Sequence, residues 1–120
     1  MGVEFTLVNE SKRERIGFLH MDGNKARELT GNPAQSAVVT WYLLENRGDS
    51  IQFVSDTYDD WPFNSGSRSD LIEYQDVTMK YIAKLIEQGV LVNEGMLHLD
   101  EDDPENIYIL NLKNVWLKNA

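Results

Sequence analysis

The apolar positions of this chain change period several times, and each change marks an element. Val3, Phe5 and Leu7 alternate with Glu4, Thr6 and Val8, the period of two of a strand. Asn9-Glu10-Ser11 supplies a turn. Arg15–His20 reads as the returning hairpin strand, with Ile16 and Phe18 on one face. After a second turn at Met21–Asn24, Lys25–Thr30 is a short helical piece that Gly31 ends.

The next segment carries the clearest helix. Asn32 is a good N-cap and Pro33 suits the first helical position, where its missing N–H costs nothing. Ala34, Ala37, Val38, Trp41 and Leu44 recur at three- and four-residue spacing and predict the buried stripe. Arg47 and Gly48 close the helix, and Ile51–Ser55 follows as a short buried strand. Beyond the loop Asn64–Ser69, Asp70 and Glu73 form a capping-box-like pair that opens a second helix, with Asp76 a possible restart point. Tyr74, Val77, Thr78, Tyr81, Ile82 and Leu85 trace its inner face, and Gly89 stops it. Val90–Val92 and Met96–Leu99 read as a hairpin around Asn93-Glu94-Gly95. Ile107–Leu112 is the last strand, and Val115-Trp116-Leu117 docks the tail.

These elements predict one α+β domain over residues 1–120: a mostly antiparallel sheet of about five or six strands with two main helices on one face. The chain has no cysteine, so disulfides and thiolate chemistry are excluded and a cytoplasmic location is expected. It has no apolar run long enough to span a membrane, and its first residues, with an early acid and no basic start, lead us to expect no secretory leader. The net charge is −9, spread over both halves. A phosphate backbone is repelled by such a chain, whereas a basic protein surface is attracted. The expected partner is therefore another protein, not nucleic acid or membrane.

Signatures of chemistry are sparse. His20 and His98 lie far apart on predicted strands and form no two-histidine metal motif. No nucleophile elbow and no phosphate-cradling glycine loop is present. The acidic run Asp100, Glu101, Asp102, Asp103 and Glu105 superficially resembles a calcium loop. It lacks the turn glycine, and Asn111 stands where the twelfth-position glutamate is needed. Arg47-Gly48-Asp49 spells an adhesion tripeptide, but a helix stop explains it locally. Lys12-Arg13-Glu14-Arg15 is a basic knot expected at a solvated hairpin tip. No catalytic residue, cofactor or metal is expected.

The densest unexplained feature is the loop after the Ile51–Ser55 strand. Tyr58, Asp59, Asp60, Trp61 and Phe63 bring rings and carboxylates together, as partner-binding loops do. The competing reading folds the rings onto the core and uses the aspartates as turn caps. The acidic run at 100–105 is the secondary candidate surface. The leading expectation is a small acidic non-enzymatic protein-binding domain of the immunity or inhibitor type. In a second reading, the helix ending Leu85-Ile86-Glu87-Gln88-Gly89 and the hairpin after it resemble the helix-plus-wing half of winged-helix domains, which implies an adaptor or regulator. A third is a small hydrolase using the carboxylates of residues 56–60.

Overall fold

The computed structural model describes residues 3–18, 20–21, 23–57, 59–98, 102 and 108–116. β1 (Phe5–Asn9) is the centre of a sheet. It pairs antiparallel with β2 (Glu14–Ile16) on one side and with β3 (Ile51–Ser55) on the other. β4 (Gln75–Asp76) adds to β2 in parallel, giving the order β3-β1-β2-β4. β5 (Leu91–His98) and β6 (Tyr108–Asn114) form a separate antiparallel ribbon.

The α+β class is as expected, but the single antiparallel sheet is replaced by a mixed four-stranded sheet and a ribbon. Two local devices explain the change. Gly95 takes φ +124° and its N–H is accepted by Asn93 Oδ1 at 3.0 Å. The expected turn is thereby absorbed as a bulge inside one continuous strand, and the partner of that strand is β6. At the other edge, Gln75 N–H and Val77 N–H donate to the carbonyls of Arg13 and Arg15, which holds 75–77 extended instead of helical.

This pairing also moves the start of the second helix. Ser67 and Asp70 make the capping box, and it opens a 3₁₀ helix (Arg68–Glu73). Asp76 Oδ1 then accepts from Thr78 N–H at 2.9 Å and starts α3 (Thr78–Glu87), the restart that its sequence position allows. α1 (Ala26–Gly31) and α2 (Pro33–Glu45) match their sequence signals, and Asn32 Oδ1 accepts from Ala34 N–H. The buried stripe of α2 is rotated from the expected one. Ala34, Gln35, Val38 and Tyr42 are buried, Trp41 is half-buried and Leu44 is exposed. Tyr42 can enter the core because its hydroxyl donates to Glu14 Oε1 at 2.8 Å while its ring meets Tyr81 edge-on.

The sheet separates two apolar clusters. On one face Leu7 and Ile16 meet α1, α2, α3 and the ribbon through Leu29, Val38, Tyr42, Tyr81, Leu85, Leu91 and Leu110. On the other face Val8 and Val54 meet Tyr74, with Trp61, Phe63 and Leu71 packed around them. Leu110 N–H donates to the His20 carbonyl and Val115 N–H to the Val90 carbonyl, which fastens the ribbon. His20 lies in a turn, not on a strand, and stacks on Tyr108 at 3.8 Å.

Candidate functional site

The loop after β3 divides its residues between two tasks. Trp61 and Phe63 pack against each other with centroids 4.9 Å apart, and Trp61 meets Tyr74 at 6.3 Å. Trp61 Nε1 donates to the Ser65 carbonyl at 2.8 Å. Both rings are half-buried and cover the back of the sheet. Asp59, at φ +65°, and Asp56 are exposed. Asp60 turns inward: its Oδ2 accepts from Ser55 N–H at 2.7 Å. Hydrogen bonds from the Ser55 side chain and backbone hold the Asp60 carboxyl below the usual aspartate range. A general acid needs the opposite shift. Tyr58 lies outside the described residues.

Those contacts sit at the end of an open sheet edge. The β1–β3 register brackets two interstrand bonds, Glu10 N–H to the Ser50 carbonyl and Asp56 N–H to the Glu4 carbonyl. Alternation then makes Val8/Gln52 and Thr6/Val54 the hydrogen-bonded pairs, and turns the backbone groups of Ile51, Phe53 and Ser55 away from β1. Ser55 is satisfied from the loop: Asp60 takes its N–H and Arg68 donates to its carbonyl. No strand among the described residues lies beyond Ile51 and Phe53.

Beside that edge, on the helix-bearing face, runs a groove of about 420 Å³. Phe5 and Phe53 form its sheet side, in edge contact at 6.0 Å. Leu29 of α1 and Val39 of α2 face them across it. Phe53 is 38% exposed, a large ring left partly open beside the groove. Glu4, Asp56 and Asp59 are exposed around the Ser55 end of the strand, and Asp56 Oδ1 accepts from Glu4 N–H.

The other sequence candidates are held in structural contacts. The basic hairpin tip is engaged within the fold: Lys12 pairs with Asp49 at 3.2 Å, Arg13 with Glu73 at 3.3 Å, and Arg15 Nε donates to the Tyr74 carbonyl. Asp49 of the adhesion-like tripeptide also accepts from Asn9 Nδ2 at 2.8 Å, and that bond, with Lys12, keeps its carboxyl below the usual range. On α3, Lys84 pairs with Glu45 at 2.9 Å. Of the acidic run, Asp102 is an exposed turn residue, whereas Asp100, Glu101, Asp103 and Glu105 lie outside the described residues. So does the side chain of His98. Among the described residues no group of three His, Cys, Asp or Glu is placed to hold a metal ion, and no helix is long and apolar enough to cross a membrane.

No protein-family model, no curated protein and no solved structure matches this chain. The open edge was hidden from sequence reasoning because strand order is not encoded in local periodicity. The one available signal was Phe53 standing next to polar Gln52 in a strand otherwise read as buried.

Proposed function

We propose that this chain is a non-enzymatic protein-binding domain of the immunity or inhibitor type, and that it takes an extended basic segment of its partner along the open edge of β3. The observation that carries the reading is the pair of outward-facing backbones, Ile51 and Phe53, lying beside an apolar groove. An added strand gains main-chain hydrogen bonds from such an edge, and alternate side chains read the adjacent groove. The acids Glu4, Asp56 and Asp59 at the strand end favour lysine or arginine in the segment, as does the net charge of −9. Asp60 and Arg68 fill the edge at Ser55, so they limit the register an incoming strand can take.

In this reading Asp59 belongs to the binding surface, while Asp60, Trp61 and Phe63 build and hold it. The helix-plus-ribbon unit α3-β5-β6 is present, which keeps an adaptor role as the second reading. Lys84 on α3 is already paired with Glu45, which disfavours a DNA backbone as its target.

The test is fluorescence anisotropy with a labelled peptide of alternating lysine and valine. Saturable binding that weakens with salt, and is abolished in a folded Ile51→Pro variant, is the expected result. Proline at this position removes an outward-facing N–H and leaves the bonds to β1 in place. Because it also removes the half-buried Ile51 side chain, Ile51→Val serves as the control that keeps the N–H and is expected to bind. Equal binding by wild type and Ile51→Pro, or by a glutamate–valine peptide, overturns the proposal.

A further inference from the structure

The β5–β6 ribbon covers the core with one face and leaves the other open. Alternation along β6 puts Leu110 and Leu112 on the inner face, where they join the main apolar cluster. It puts Ile109, Asn111, Lys113 and Val115 on the outer one. Leu97 stands opposite Ile109 and Val92 opposite Lys113, so both belong to the outer face. Val92, Leu97 and Val115 are 41%, 51% and 50% exposed. Met96, on the inner side of the same strand, is exposed as well, so the outer half of β5 stands clear of the body. Trp116, expected from the sequence to dock the tail, is exposed just beyond the end of β6. Apolar side chains gathered in this way mark an interaction face.

The charge pattern says what covers it. Between Leu91 and His98 and between Tyr108 and Trp116 there is one acid, Glu94, and one base, Lys113. Both are exposed, and neither belongs to an ion pair among the described residues. A chain of net charge −9 thus carries a neutral ribbon. A second copy is repelled elsewhere but not here, and a basic partner finds no excess of acid to read. The face is also self-complementary. Apolar groups lie at both ends, Leu97 with Ile109 and Val92 beside Val115, with the opposite charges near the middle. A two-fold axis across the strands near Asn93 stacks two ribbons antiparallel. It turns Leu97 of each copy toward Val115 of the other, and Lys113 of each toward Glu94 of the other. Antiparallel stacking also keeps apart the acidic runs at 100–105, which join β5 to β6 in sequence.

We infer that two copies of this chain form a symmetric dimer through the outer faces of their ribbons. The inference is independent of the β3 edge, which belongs to the other sheet and stays free in the dimer.

The test is sedimentation velocity of the full chain from about 1 to 500 µM, the range in which a modest interface shows its equilibrium. A concentration-dependent shift from monomer to dimer is expected. Leu97→Glu, at an exposed position, is expected to weaken the dimer about tenfold or more. Lys113→Glu and Glu94→Lys are each expected to weaken it several-fold, and the double exchange to restore it, because the cross-copy pair is re-formed with its signs reversed. Ile51→Pro is expected to dimerise as the wild type does. Circular dichroism checks that each variant is folded. A monomer at every concentration overturns the inference and leaves the face to a different partner. A dimer indifferent to Leu97→Glu, a double exchange no better than the single ones, or loss of the dimer in Ile51→Pro overturns it as well.

Discussion

Asp60 Oδ2 lies 2.7 Å from the backbone nitrogen of Ser55, and this contact ends the open edge of β3. A carboxylate that accepts a backbone N–H at a strand edge does the work of a missing neighbour strand. Asp60→Ala is expected to lower stability by about 1–2 kcal/mol, because Ser55 N–H returns to partial solvation. Urea denaturation measures it. A change below about 0.3 kcal/mol would mean that the contact contributes nothing.

Acid should unfold the protein through three named carboxyls. Lys84 holds Glu45 below its usual range, Asn9 and Lys12 hold Asp49, and Ser55 holds Asp60. In each case the unfolded chain takes up a proton at a pH where the folded one remains ionised. The stabilisation is therefore complete above the ordinary carboxylate range and is lost as pH falls through the lowered folded values. Denaturation midpoints are expected to fall between about pH 5 and 3, with a shallower fall in Glu45→Gln. An unchanged slope in that variant contradicts the assignment.

Tyr42, and not Leu44, anchors α2. Tyr42 is 1% exposed and Leu44 58%. Tyr42→Ala is expected to cost about 3–5 kcal/mol, and Leu44→Ala less than about 0.5. Thermal or chemical denaturation of the two variants checks the rotation of the helix directly.

Trp61 supports the edge from behind. Its ring touches Phe63 and Tyr74 in the smaller cluster, so Trp61→Ala is expected to lose about 1–3 kcal/mol of stability. Asp59→Asn touches no such packing. It is expected to leave stability unchanged and to flatten the salt dependence of peptide binding. If Trp61→Ala keeps full stability and loses only binding, the ring is itself the contact surface.

Local signals account for much of this fold. The Asn32-Pro33 cap, the Ile51–Ser55 strand and the Gly89 stop stand where periodicity and capping chemistry place them. Non-local pairings were hidden. Tyr42 displaced Leu44 because Glu14, from another element, satisfies its hydroxyl. The Asn93–Gly95 turn signal became a bulge because β6 offered a longer partner. Within the candidate site, the composition of the loop marked the right neighbourhood. It did not show which acids stay exposed, since Ser55 and Arg68 take part in fixing Asp60. The burial of Gln35 left no mark, because a glutamine on a helix reads as solvent-facing.

The central claim is that Ile51 and Phe53 present an unpaired edge to a partner strand. Residue-resolved amide hydrogen exchange tests it most directly. In the protein alone, the amides of Gln52 and Val54, paired with β1, are expected to exchange slowly, and those of Ile51 and Phe53 quickly. With the lysine–valine peptide bound, Ile51 and Phe53 are expected to become protected while Gln52 and Val54 stay slow. Slow exchange at Ile51 and Phe53 without peptide, or no gain in protection when peptide is bound, would contradict the account.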